Sequence, residues 1–363
     1  MHHGTYGNNI WVVKMKNFFK DKNILITGHT GFKGSWLSEI LINWEANVSG
    51  FSLEPPTEPN LFSLIELDSK MNSIIADIRN LKELKKIFDK INPEIVIHMA
   101  AQPIVRESYE NPHYTYETNV MGTVNICECI RNSENVKSFL NVTTDKVYEN
   151  KEKQEGYKED EKLDGFDPYS NSKSCSEIIT HSYNNSFFKE KNIAVSTARA
   201  GNVIGGGDFA KDRIIPDCVR SALSCEDIII RNPYSIRPYQ HVLEPLNMYL
   251  TIVKKQYEDI NYSGYYNIGP DDEDCISTGN LATLFCEKWG NDLKWINKSE
   301  INAPHEANFL KLNNTKIKKT FGWKTKWNID KAIEKTVEWT KNYKEDNDII
   351  SVTDKQIDEF FKD

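Results

Sequence analysis

The segment ILITGHTGFKGSWL constrains the chain more than any other. A short apolar run over residues 23–27 feeds Gly28, Gly31 and Gly34. A helix-period pattern of Trp36, Leu37, Ile40, Leu41 and Trp44 follows directly. Glycine tolerates positive φ and lets backbone N–H groups approach an anion at a helix N-terminus. A strand that turns this tightly into a helix must bury that helix against a sheet, which makes the segment a first βα unit. Further β-branched or apolar runs at 47–53, 73–76, 94–98, 138–143 and 193–198 alternate with helix-period segments such as Leu81, Leu84 and Phe88. The alternation predicts an α/β fold, a Rossmann-type doubly wound parallel sheet, over residues 15–200.

Beyond about Val203 the texture changes. Gly205-Gly206-Gly207, Asn232-Pro233 and Gly269-Pro270 punctuate shorter elements, which predicts a smaller C-terminal α/β substrate-binding domain over 201–363. Parts of 230–265 are expected to return to the first domain, and an amphipathic helix is expected from about Ile329. Residues 1–14, ahead of Met15, are expected to be a disordered leader.

Composition excludes several classes. A net charge of −8 over 363 residues argues against a nucleic-acid surface, which needs basic patches to neutralise phosphates. No apolar run approaches the length that spans a bilayer, and the N-terminus lacks the basic head of a signal peptide. Seven cysteines without a Cys-x-x-Cys argue against a disulfide framework or a zinc site. The expectation is a cytoplasmic protein in a reducing compartment, with no metal.

Two further stretches carry chemistry. NVTTDKVYEN places Thr144, Asp145 and Lys146 at the end of an apolar strand, and DPYSNSKSCSE contains the chain's one Tyr-x-x-x-Lys, Tyr169 and Lys173. Residues four apart share a helix face, and an ammonium beside a phenol favours the phenolate, a general base. The glycine spacing, Thr144 and the Tyr169/Lys173 pair, in that order, resemble the extended short-chain dehydrogenase/reductase family.

That resemblance implies NAD, held by Gly28, Thr30, Gly31, Phe32, Lys33 and Gly34 of the glycine loop. It adds Asp77 and Ile78 beside the adenine, Ala100, Ala101, Gln102 and Asn119 along the cofactor, and Tyr169 and Lys173 at its reactive end. The ribose-binding acid usual after the second strand is absent from Phe51-Ser52-Leu53, with Glu54 just beyond. No arginine stands there for a 2′-phosphate, so NAD is expected over NADP. His98 is expected to be a satisfied core histidine.

GHTGFKGSWL, EPPTEPNLF, AAQPIVRESYENP, TNVMGT, IRPYQHVLEPL and HEANFLKLNNTKIKKTFGWKTKW look like the cytidine diphosphate-glucose (CDP-glucose) 4,6-dehydratases of that family, over about Lys22 to Trp327. The likeness implies conversion of CDP-glucose to its 4-keto-6-deoxy form plus water, in deoxysugar supply for a lipopolysaccharide O-antigen. Tyr169, its pKa lowered by Lys173, would take the C4 hydroxyl proton while NAD holds the hydride. Thr144 would bond the C4 oxygen, and protonated Asp145 would release the C6 hydroxyl as water. Lys146, where a glutamate is usual, would act neutral as the C5 base; a plain Asp145–Lys146 ion pair is the alternative.

Asn202, Arg237 and His305 would grip the nucleotide-diphosphate sugar. Arg199 is expected either to bond within the protein or to reach the substrate. A homodimer or homotetramer is expected through residues 112–131 and 167–189. Another nucleotide-sugar dehydratase using a dTDP- or GDP-sugar, an epimerase or reductase, and a silent dinucleotide sensor remain as alternatives.

Overall fold

The structure is a computed structural model, and it describes residues 5–299 and 309–362. Its centre is a seven-stranded, wholly parallel sheet. Strands β1 (Asn23–Thr27), β2 (Asn47–Ser52), β3 (Asn72–Ile75), β4 (Ile95–His98), β5 (Ser138–Val142) and β6 (Ala194–Ala200) lie where the alternating pattern puts them. From one edge the order is Tyr265–Ile268, β6, β5, β4, β1, β2, β3. The order reverses between β1 and β4, whose register sets Thr27 beside His98 and brings their following loops together. Ligands of open α/β sheets bind at such a switch point, outside the carboxyl ends of the strands.

Both faces of the sheet are covered, which is why its inner strands read as continuous apolar runs. Ile24, Ile26, Leu140 and Val142 face one layer together with Trp36 and Leu37 of helix α2 (Phe32–Asn43) and Leu246 and Leu250 of the Leu243–Glu258 helix. Leu25, Val96 and Phe139, offset by one residue, face the other layer with Ile126 and Ile130. A separate core of Ile215, Val219, Ile230, Leu281, Phe285, Ile333 and Val337 gathers elements from beyond residue 201. The expected amphipathic helix is there as Ile329–Lys344.

The seventh strand, Tyr265–Ile268, pairs with β6 through Tyr265↔Thr197 to Ile268↔Ala200, although 64 residues separate it from the end of β6. The Leu243–Glu258 helix before it packs on β5 and β6. Chain from beyond residue 201 thus completes the first sheet.

The expected leader is different. Helix α1 (Thr5–Phe19) begins at Thr5, within residues 1–14. Trp11 stacks on Phe361 at 6.0 Å, and Phe361 meets Trp44 edge-on at 5.0 Å. Met15, Phe19, Phe360 and Phe361 are buried together. Each such side chain contributes about 1.5–3 kcal/mol, so the helix is held by apolar contacts with Ile349–Lys362 that lie far along the chain.

Candidate active site

The glycine loop leaves β1 at Gly28, whose φ of +80° suits glycine. A Cβ at Gly28 would lie 2.8 Å from the Ala100 nitrogen, and one at Gly34 only 2.1 Å from the Gly28 oxygen. Both glycines are required by the chain's own packing. Gly31 differs: its Cβ would meet only the Gly28 oxygen, at an ordinary 3.5 Å. The described residues leave open space over Gly31, at the first turn of α2, where a pyrophosphate fits the fingerprint. The residues present therefore suit a dinucleotide.

Several residues expected at the cofactor prove to brace this cradle. Thr30 Oγ1 bonds Ser52 Oγ (2.9 Å) and donates to the Leu53 carbonyl (2.8 Å), tying the loop to the end of β2. Asn119 sits in a single π-turn, Glu117–Met121, between Pro112–Tyr116 and Gly122–Arg131. It accepts from the Gln102 N–H (2.8 Å) and donates to the Gln102 carbonyl (3.1 Å) and to Ser172 Oγ (2.9 Å). Loop 99–104 is thereby clamped to the helix that carries Lys173. The Ala100 N–H donates to Thr27 Oγ1 (3.2 Å), and Ala101 follows it in the loop. Ile78 is buried against the position of Gly122, and Phe32 lies beside Gly205. Asp77 is held below the ordinary carboxylate range by Arg79, which bonds both its oxygens.

His98 is a core histidine: Nδ1 pairs with Thr27 Oγ1 at 2.7 Å, and burial lowers its pKa to about 3, keeping it neutral.

The candidate catalytic cluster forms where β5 ends. Thr144 N-caps a short 3-10 turn, Asp145–Val147, and its hydroxyl donates to Asp145 Oδ1 at 2.9 Å. The Pro168–Tyr183 helix opposite starts with the Asp167 cap and proline at N1, which fixes Tyr169 in its first turn. The Thr144 hydroxyl lies close enough to the Tyr169 phenol to pull its pKa down. Asp145 is 1% exposed, and its Oδ2 has no hydrogen-bond partner among the described residues. Burial raises its pKa against the pull of Lys146, Thr144 and Arg237. A buried carboxyl that resists ionisation and has a free oxygen can serve as a proton donor.

One expectation reverses here. Tyr169 is pushed up to about 12, chiefly by burial, with Thr144 opposing. Lys173 Nζ donates to the Val142 carbonyl at 3.0 Å, and burial with the Lys33 charge brings it down to about 7. The chain alone does not make a neutral-pH phenolate, because both groups are desolvated together. Lys33 belongs to this cluster as well, lowered to about 8 by burial and then by Arg213, while Asp145 and Asp208 pull it up.

Lys146 is half-buried, and no ion pair joins it to Asp145 within 4.0 Å. Arg237, on Ile236–Pro238, is buried and acts on Asp145. Asn202 follows β6, and its carbonyl accepts from the Gln240 N–H at 3.0 Å. His305 lies outside the described residues. Arg199 is internal, paired with Glu177 at 3.0 Å. Sequence reasoning missed Arg213, which is bonded to buried Asp208 at 3.1 Å and acts on both Tyr169 and Lys33. Its only signal was an arginine five residues after GGGD.

The chain resembles known nucleotide-sugar enzymes in sequence and in fold. CDP-glucose 4,6-dehydratase of Salmonella typhimurium is 44% identical over 351 residues, covering 95% of this chain and 98% of that one. Among solved structures, UDP-glucose 4-epimerase of Thermotoga maritima superposes with a TM-score of 0.77 at 22% identity, over 88% of this chain and 99% of that one. A dTDP-glucose 4,6-dehydratase from Bacillus anthracis, in complex with NAD, gives 0.72 at 21% identity, over 89% and 98%. These two share the fold. A family model described as GDP-mannose 4,6 dehydratase matches residues 25–336, and the chain belongs to that family.

Proposed function

We propose that the protein is a nucleotide-sugar 4,6-dehydratase that converts CDP-glucose to the 4-keto-6-deoxy sugar nucleotide and water. Asp145 carries the reading: a buried carboxyl with a free oxygen stands beside Thr144 and Tyr169. Loss of the C6 hydroxyl needs an acid, whereas an epimerase or reductase has no use for one there. The 44% identity to a CDP-glucose 4,6-dehydratase over nearly both full lengths supports the substrate.

NAD, held over Gly31, would supply a hydride acceptor that returns what it takes, with a positively charged ring in its oxidised form. The chain's residues do the proton work. Tyr169, as the phenolate that the positive charge of bound oxidised NAD would favour, takes the proton of the C4 hydroxyl, and Thr144 holds the same oxygen. The resulting ketone acidifies C5–H, and Lys146 removes that proton. Asp145 gives its proton to the C6 hydroxyl as the C6–O bond breaks, and water leaves. Lys146 then returns a proton to C5. Arg237 and Asn202 bind the diphosphate and sugar, with His305 on the nucleotide side. Arginine's planar fork suits phosphate oxygens.

The decisive experiment incubates the protein and NAD with CDP-, dTDP- and GDP-sugars and follows keto-sugar formation. CDP-glucose should give a 4-keto-6-deoxy product without net cofactor reduction. No keto sugar from any of them would end the dehydratase reading.

Exposed Tyr116, Met121, Ile178 and Phe187 lie on residues 112–131 and 168–188 and support a homodimer through these helices, or a homotetramer built on it. Ile178→Glu should lower the sedimenting mass, and an unchanged mass would remove this surface from the assembly. A cytoplasmic location and a place in O-antigen deoxysugar supply fit the seven unpaired cysteines and the product chemistry. No helix among the described residues is long and apolar enough to cross a membrane.

A further inference from the structure

The helix bearing Tyr169 and Lys173 is fastened to the end of β5 by buried side chains. Asn141 Nδ2 donates to Ser176 Oγ (2.9 Å) and Thr180 Oγ1 (2.8 Å), Lys173 Nζ to the Val142 carbonyl (3.0 Å), and Ser174 Oγ to the Val147 carbonyl (2.7 Å). At the centre stands a carboxylate that the proton transfers above do not use. Glu177, one turn past Lys173 and 1% exposed, accepts at Oε1 from Thr143 Oγ1 (2.5 Å) and Arg199 Nε (3.0 Å). Its Oε2 accepts from Thr197 Oγ1 (2.7 Å) and Arg199 Nη2 (3.0 Å). Arg199 continues to Tyr148 Oη (2.8 Å) and the Glu159 carbonyl (3.0 Å).

A buried ion pair is weak evidence of a stabilising role, because apolar side chains of similar volume often serve stability as well or better. Two other features give this one a purpose. Thr143 is the neighbour of Thr144, so Oε1 fixes the backbone that presents Thr144 and Asp145. Glu177 also lies one helical turn beyond Lys173 on their shared helix, and its charge acts on the Lys173 ammonium. Among the described residues, the other groups around that ammonium offer no such charge. Lys33 from α2 is a like charge, His98 from β4 is neutral, Tyr169 is an un-ionised phenol, and Val142 of β5 gives only its carbonyl dipole.

We propose that Glu177 is a positioning residue for the reaction: locked by Arg199 and Thr197, it holds Thr143 beside Thr144 and supplies the negative charge that Lys173 faces. The proposal rests on the reading that Tyr169 and Lys173 work at C4. Burial and Lys33 lower the Lys173 pKa while Glu177 raises it. Removing the Glu177 charge therefore moves the Lys173 titration further down, and protonated Lys173 is lost at a lower pH.

The test uses full-length Glu177→Gln, and the double variant Glu177→Gln/Arg199→Met, which leaves no unpaired guanidinium in the core. Lys173 is titrated without turnover, from the pH dependence of its acetylation read by peptide mass spectrometry. The expected result is a downward shift of about one unit in both variants. The alkaline limb of kcat with CDP-glucose should move the same way with KM unchanged, and the double variant should regain thermal stability over the single. An unmoved Lys173 titration, whatever the stability, overturns the proposal. Failure of the wild type to form a keto sugar would sink the dehydratase reading instead, and the acetylation titration would still decide the part played by Glu177.

Discussion

Asp145→Asn separates proton donation from shape. The amide keeps the planar outline of the carboxyl, and its oxygen can still accept from the Thr144 hydroxyl, as Oδ1 does at 2.9 Å. What it loses is the proton that burial favours on the carboxyl against Lys146, Thr144 and Arg237. Because the amide matches the carboxyl in size and shape and carries no charge for burial to penalise, the fold should lose little stability. A positioned general acid typically contributes about 10²–10⁴ in rate. At about 1.36 kcal/mol per decade, that is roughly 3–5 kcal/mol of barrier. Keto-sugar formation from CDP-glucose should therefore fall by about 10²–10⁴-fold, with the melting temperature nearly unchanged. C5 chemistry precedes loss of the C6 hydroxyl, so recovered substrate should still take up solvent deuterium at C5. A folded variant that retains turnover within about ten-fold of wild type would refute the acid role.

Lys146→Ala should abolish both the C5 deuterium uptake and dehydration; turnover close to wild type would dismiss Lys146 as the base. Gly31→Ala should fold normally but bind NAD more weakly, since its Cβ has 3.5 Å of clearance, whereas Gly34→Ala should lower thermal stability, since its Cβ would sit 2.1 Å from the Gly28 oxygen. Equal melting temperatures for these two would contradict the loop geometry. Glu244 is fully buried, accepts the Lys326 and Trp327 N–H groups at 2.7 Å, and is raised by burial from 4.5 to about 7. Its folded pKa lies above its unfolded one, so folding favours the protonated form and stability falls as pH rises from 4.5 to 7, by up to about 3 kcal/mol. Glu244→Gln should remove that slope, and parallel stability–pH curves for the two proteins would show that Glu244 is not its source.

Much of the site was legible because it is local. The glycine spacing, the Thr144-Asp145-Lys146 run and the four-residue step from Tyr169 to Lys173 are set within single turns of chain, where dihedral limits and helix period act directly. The partners of these residues were not legible. Nothing near Lys173 in sequence announces that its ammonium bonds the Val142 carbonyl, or that Tyr169 is desolvated enough to hold its proton to about 12. Thr30 and Asn119, expected at the cofactor, spend their polar atoms on Ser52, Leu53, Gln102 and Ser172. Hydrogen-bond partners of this kind depend on which elements meet, and no local period encodes that.

The sequence by itself determined the parallel sheet's first six strands, the dinucleotide turn and the set of candidate site residues, because strand and helix periods and glycine's φ range act over a few residues. Only the tertiary structure decided that Tyr265–Ile268 closes the sheet, that helix α1 is held by Phe361, and that Arg199 is an internal partner of Glu177. Those outcomes follow from burial, which is a property of the whole packed chain: apolar faces and buried charges find their partners only after distant segments have been brought together.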